Sequence, residues 1–224
     1  MPVYLLDEQL RFPDPKLADK EGLLAVGGDL SADRLLLAYA NGIFPWFSDD
    51  SPILWWSPDP RMILIPGEFK KSKSLSQSIR RKNYEVHFDR DFRAVIKSCS
   101  SANRKDEDGT WITPEMIEAY AVMHDLGYAH SVETYLEGKL VGGLYGISLG
   151  RAFFGESMFY HERDASKVAL AALADRMLEW DFHLIDAQQQ TEHLKSLGAR
   201  PVPREEFLKK LSVALNFPTI QGKW

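Results

Sequence analysis

The stretch from 128 to 188 decides the fold: YAHSVETYL (128–136), KLVGGLYGISL (139–149), RAFFGESMF (151–159), DASKVALAALADRMLEW (164–180) and FHLIDAQ (182–188). The first three runs have strand character and are parted by Glu137-Gly138 and by Gly150, which predicts a three-strand meander. The fourth is rich in Ala and Leu, opens on Asp164 and predicts a long helix. The fifth predicts a strand ending in polar residues. Strand, helix and strand suggest a crossover, with the last strand parallel to its neighbour.

Working outward, Thr113 with Pro114 opens a helix that closes at Gly127, residues 90–99 read as helical, and YEVHF (84–88) alternates like a strand. MILI (62–65) is a short strand candidate, and 190–197 and 204–215 read as two short closing helices. The N-terminal part is less regular. Residues 1–30 are punctuated by Pro13, Pro15, Gly22, Gly27 and Gly28 and read as irregular. Ser31 caps the helix ADRLLLAYAN, which Gly42 closes. Residues 43–60 hold four prolines with Trp46, Trp55 and Trp56, and read as a Pro-stiffened ordered segment. The reading is an α+β protein, a mixed sheet with flanking helices, whose boundary near residues 60–70 parts a small N-terminal domain (1–62) from a larger one (63–224).

Composition narrows the function. With 224 residues, 45% hydrophobic and 26% charged, the chain can bury a sizeable core and is not a disordered protein. A net charge of −5 excludes a globally basic nucleic-acid binder, so any such contact is a local patch. Cys99 is the single cysteine, which rules out an intrachain disulfide and a multi-cysteine zinc site and suits a reducing cytoplasm. The opening residues are too acidic for a signal peptide, and no apolar run of about 18 residues offers a membrane span. The six histidines lack metal-site spacing, GGLYGISLG sits in a strand pair rather than at a helix start, and no GxSxG occurs.

Chemistry can sit in a few places. Asp186 and Gln188 end the LID strand and, two apart, share a face. A crossover strand opens at its C-terminal end into the crevice where α/β folds bind ligands. The same pair equally suits a polar strand end that caps the next helix. Glu156 interrupts an apolar strand, where alternation puts Phe154, Glu156 and Met158 on one face; it needs either a job or a salt bridge to Lys or Arg. Lys70, Lys71, Lys73, Arg80, Arg81 and Lys82 form either a phosphate-contacting patch or a solvated helix face. Arg104 and Lys105 stand apart, offset by the acidic residues of NRKDED. The Trp cluster is either core or a stacking platform.

Seven blocks in order, GLLAVGGDLSADRLLLAYANGIFPWF (22–47), ILWWSPDPR (53–61), GTWIT (109–113), the HSVE…LVGGLYG run (130–146), FFGESMF (153–159), ASK (165–167) and LIDAQ (184–188), closely resemble the leucyl/phenylalanyl-tRNA–protein transferase family across essentially the whole chain. The resemblance implies a small N-terminal domain joined to a domain like those of the N-acetyltransferase (GNAT) superfamily. It implies transfer of Leu or Phe, less well Met, from aminoacyl-tRNA to the α-amine of proteins beginning with Arg or Lys, marking them for N-end-rule degradation. It implies no metal and no cofactor, and a cytoplasmic enzyme. The residues themselves show no spare apolar helix, which points to a monomer. By the same resemblance Asp186 and Gln188 match the catalytic pair, with Asp186 orienting or accepting a proton and Gln188 positioning the amine or carbonyl. Trp46 and Trp111 match the residues that hold the terminal adenosine. Leu144, Met158, Leu170 and Leu173 match the side-chain pocket, with Glu156 in the same site. Arg81 and Lys82 fall where the family grips the acceptor stem. Acetyltransferases hold the acetyl-CoA pyrophosphate on a Gly-rich turn, whereas HERDASKVAL (161–170) has no glycine and carries Glu162 and Asp164. Leu144 and Leu173 stand where bulkier Met and Phe are expected from the family, which could shift the balance between leucine and phenylalanine.

Overall fold

The structure is a computed structural model that describes residues 3–102 and 111–224, and of Arg81 the backbone alone. Arg104, Lys105 and the rest of the NRKDED stretch lie outside the described residues. The N-terminal elements are β1 (Tyr4–Leu6), β2 (Leu23–Gly27), α1 (Ala32–Ala40), β3 (Phe44–Pro45) and β4 (Leu54–Trp56). Then come β5 (Arg61–Leu64), α2 (Lys73–Arg81), β6 (Glu85–Phe88), α3 (Phe92–Ser100), α4 (Pro114–Asp125), β7 (Ala129–Leu136), β8 (Lys139–Leu149) and β9 (Ala152–Tyr160). The chain continues through α5 (Ala165–Glu179), β10 (Leu184–Gln188), α6 (Glu192–Ser196), β11 (Arg200–Val202) and α7 (Arg204–Leu215).

Two sheets result. The first has the order β1-β2-β4-β3 and the second β11-β5-β10-β9-β8-β7-β6. The α+β reading holds, and so does the meander, since β7, β8 and β9 pair antiparallel in sequence. The crossover holds as well: α5 leads into β10, which lies parallel to β9 with Leu184 opposite Ala152. On its other side β10 runs antiparallel to β5. The last strand starts at Leu184 rather than 182, because Phe182 still closes α5 through its amide to the Met177 carbonyl.

The N-terminal stretch departs from its reading. Residues taken as irregular supply β1 and β2, which pair in parallel, and the Pro-stiffened segment supplies β3 and β4. These strands span two to five residues. That is too short for alternation to show, and their partners lie far along the chain. β11 was unforeseen too; Pro201 is tolerated there because the strand is at the sheet edge.

A bulge reorganises β9. Tyr145 pairs with Ser157 while Gly146 pairs with Gly155, so Glu156 has no partner residue across the ladder. An extra residue shifts every later side chain to the opposite face. Phe153 and Met158 therefore join Leu144, Leu170 and Leu173 in the cluster under α5. Phe154 and Phe159 pack on the other side. Strict alternation had put Phe154 and Met158 together. The second cluster also unites the two sheets, since Leu24, Ala25 and Trp55 share it with Ile63, Phe154 and Phe207. α5 approaches β8 closely at Gly142, where a Cβ would lie 2.5 Å from that of Ala165.

Candidate active site

The register of β9 with β10 ends at Phe154 opposite Asp186. Around that point lies a cavity of about 410 Å³. Leu64, Leu144, Phe153, Met158, Leu170, Leu173 and Ile185 make part of its wall apolar. Glu156, Asp186 and Gln188 supply its polar side, and Trp46 and Trp111 also line it. Nine of the eleven residues singled out from sequence thus meet in one cavity; Lys82 does not line it, and the Arg81 side chain lies outside what the structure describes.

Asp186 is 0% exposed and fully engaged. Arg61 Nε donates to Oδ1 at 2.9 Å, and Nη2 donates to Oδ2 at 2.7 Å. The Gln188 amide also donates to Oδ1, at 2.9 Å. The guanidinium is as enclosed as its partner. Nη1 donates to the Gly42 carbonyl, and the rings of Phe44 and Phe207 lie 4.8 and 4.6 Å from Cζ. A forked cation–carboxylate pair of this kind is among the stronger polar contacts a protein makes.

Gln188 does not reach the cavity by plain alternation. β10 slips against β5 between Asp186 and Gln188, and Gln188 holds a φ of +58°, in the left-handed region. The helix-capping reading of this strand end does not hold, because Thr191 caps α6 through its own side chain.

Glu156 has no cation partner in its hydrogen-bond set. The Tyr120 hydroxyl donates to Oε2 at 3.1 Å, and the Gln188 Nε2 donates to Oε1 at 2.9 Å. The salt bridge considered from sequence is replaced by a phenol and a carboxamide. Burial raises the Glu156 pKa to about 7. Hydroxyls of Tyr39 and Tyr120 and the Gln188 amide oppose that rise, while the charge of Asp186 adds to it. Tyr39 and Tyr120 share a hydroxyl–hydroxyl hydrogen bond. Burial first, then the charge of Glu156, keeps both phenols well above their usual range, so they remain donors.

The tryptophans divide their tasks. Trp55 is core, fully buried, with its indole donating to the Gly27 carbonyl. Trp46 faces the cavity, and Trp56 braces it by donating to the Trp46 carbonyl at 2.7 Å.

The basic stretch is less free than its composition implied. Lys71 pairs with Asp175 at 2.7 Å and Lys82 with Glu162 at 3.3 Å. Lys71, Lys73, Ser76, Gln77 and Arg80 line a separate concavity of about 630 Å³. At the start of α5, Asp164 accepts from Ser78 and Lys167. Acidic Glu162 and Asp164, with the close approach at Gly142, make that helix start a poor seat for a pyrophosphate.

Sequence reasoning missed Arg61, Tyr39 and Tyr120. A buried carboxylate at the end of LIDAQ demands a cation, and Arg61 opening the apolar strand RMIL was one candidate. The pair is 125 positions apart, so no local pattern joined them. Tyr39 shows only as part of the buried stripe Leu35, Ala38, Tyr39 of α1. Among the described residues no group of three or more His, Cys, Asp or Glu is placed to hold a metal ion. No described helix is long and apolar enough to cross a membrane.

Known proteins place this geometry. The family model for leucyl/phenylalanyl-tRNA protein transferase matches residues 63–212, and that for its N-terminal domain matches 28–59. The leucyl/phenylalanyl-tRNA–protein transferase of Anaeromyxobacter sp. (strain Fw109-5) is 55% identical over 100% of this chain and 95% of its own length. That of Desulfatibacillum aliphaticivorans is 53% identical over 100% of this chain and 96% of its own. Among solved structures, a ribosomal-protein-alanine N-acetyltransferase from Brucella melitensis biovar Abortus 2308 aligns at 16% identity and a TM-score of 0.35, over 51% of this chain and 86% of that one. That last similarity is too slight to add to the strand order itself. The protein is a transferase of aminoacyl groups. It belongs to the leucyl/phenylalanyl-tRNA–protein transferase family.

Proposed function

We propose that the enzyme moves leucine or phenylalanine, and methionine less well, from aminoacyl-tRNA to the α-amine of proteins that begin with Arg or Lys, marking them for N-end-rule degradation. The observation that carries this reading is the hydrogen-bonded Glu156–Gln188 pair beside an apolar lobe and two indoles in one cavity. Leu144, Met158, Leu170 and Leu173 would enclose the transferred side chain. Trp46 and Trp111 would stack the terminal adenosine, a contact worth roughly 1–3 kcal/mol per base. Arg81 and Lys82 would contact the acceptor stem. The unit 1–62 contributes Trp46 and Tyr39, and the unit 63–224 contributes the carboxylates. The enzyme works as a cytoplasmic monomer and needs no cofactor, because the ester donor is already activated.

The chemistry balances within these groups. The acceptor nitrogen attacks the ester carbonyl carbon, and the carbon–oxygen bond to the ribose breaks. Glu156, with a pKa of about 7, takes the proton from the amine and returns it to the departing ribose oxygen. Gln188 positions the amine. Asp186, with both oxygens occupied by Arg61, orients Gln188 rather than accepting a proton. The test is a transfer assay with radiolabelled phenylalanyl-tRNA and two acceptors, one beginning with Arg and one with Ala. Label on the Arg-led protein alone supports the reading; label on neither overturns it.

A further inference from the structure

We infer that Arg61 is a positioning residue for aminoacyl transfer, acting through Asp186 on the conformation of Gln188. This inference rests on the site assignment just given.

Arg61 has a complete set of partners. It is fully buried, two of its nitrogens are bound by one carboxylate, and a third is bound by the Gly42 carbonyl. The rings of Phe44 and Phe207 both lie close to its Cζ, at 4.8 and 4.6 Å. Gly42 belongs to this cage: its φ is +70°, and a Cβ there would come within 2.8 Å of the Phe207 ring. A planar fork in such a cage holds the carboxylate plane in one orientation, which an ammonium cannot do.

Asp186 passes that orientation on. Its Oδ1 accepts from both Arg61 Nε and the Gln188 amide. The Gln188 amide belongs to a residue at φ +58°, a conformation that side-chain-bearing residues adopt only when their surroundings impose it. From there the Gln188 carboxamide reaches Glu156. The sequence of contacts is Arg61, Asp186, Gln188 backbone, Gln188 side chain, Glu156. The cage is built from the turn between α1 and β3, from β3, β5 and α7, so both sheets converge on the orientation of one carboxamide.

A buried pair kept only for stability would predict a different response to substitution. Arg61→Lys keeps the charge and loses the fork. It is expected to lower kcat by about 100-fold, the scale of a 1 Å misplacement, with KM for phenylalanyl-tRNA within about twofold. Because the effect runs through Gln188, the Arg61→Lys, Gln188→Ala double variant should transfer no more slowly than Gln188→Ala alone. A readout independent of turnover is the pair of Gln188 side-chain amide signals in a 15N spectrum, assigned by their absence in Gln188→Ala. They should move in Arg61→Lys while those of Asn41 stay. Should Arg61→Lys not fold, Phe207→Leu keeps the ion pair, removes one ring from beside the guanidinium and should move the same signals by less. Unmoved Gln188 signals in the folded variant, or rate losses that multiply in the double variant, would overturn the inference. A wild-type protein that transfers nothing would refute the function instead, and the amide signals would still decide whether Arg61 sets the conformation of Gln188.

Discussion

Two carboxylates on neighbouring strands, both buried, have opposite surroundings. Asp186 at the β5–β10 seam is held by a forked guanidinium, and Glu156 at the β9 bulge is held by a phenol and a carboxamide. Their exposures are 0% and 8%, so burial alone does not distinguish them. The partner does. A cation compensates the charge of Asp186, whereas Glu156 has only neutral dipoles and a like charge nearby, and its pKa rises to about 7. On the proposed reading this is a division of labour, in which the compensated carboxylate would fix geometry and the uncompensated one would exchange the proton.

The largest effect should come from breaking the compensated pair. Asp186→Ala leaves Arg61 buried without a counter-charge, and a loss of about 3–5 kcal/mol is expected in urea unfolding, together with transfer. A smaller change than 1 kcal/mol would mean that water or another group replaces the carboxylate. Glu156→Gln should reverse that pattern. Transfer should fall about 10²–10⁴-fold, as for removal of a general base, while the folded protein gains relative stability in alkali. A carboxyl whose folded pKa exceeds its unfolded value of 4.5 contributes most below pH 4.5 and loses that contribution as pH rises through about 7. Wild-type stability should therefore drop by up to about 3 kcal/mol from this group between pH 4.5 and 8. The Gln variant should lack that drop, as urea midpoints at pH 5 and pH 8 will show.

Tyr120→Phe sharpens the contrast more gently. It removes a donor that favours the ionised form, so the rising limb of kcat against pH should move to higher pH by about one unit. An unmoved limb would place the titration on the acceptor amine instead. The smallest effect belongs to the exposed pair Lys71–Asp175, in which both side chains are at least 40% exposed. Lys71→Ala should change stability by less than about 1 kcal/mol, against the several expected at Asp186.

Legibility followed distance along the chain. The meander, α5 and β10 were readable because each is one run with its own residue propensity and its own stop signals. Thr113 and Pro114 likewise announced α4, whose cap is indeed the Thr113 side chain. β1 to β4 were not readable, because two to five residues are too few to carry a period. The site divided in the same way. Its residue types stood out as polar groups in apolar runs, and the family resemblance gathered them, yet their relations stayed hidden. The bulge that leaves Glu156 unpaired looks from sequence like any other position in FFGESMF.

The sequence by itself determined most element types of the C-terminal two-thirds, β11 apart, and the family of the chain, because residue propensity, stop signals and ordered motifs are local properties. The tertiary structure alone decided which carboxylate is neutralised. That depends on Arg61 meeting Asp186 across 125 positions and on Tyr120 meeting Glu156 across 36. Such encounters are set by how sheets and helices pack, and the electrostatics of a buried charge depend on what the packing places next to it.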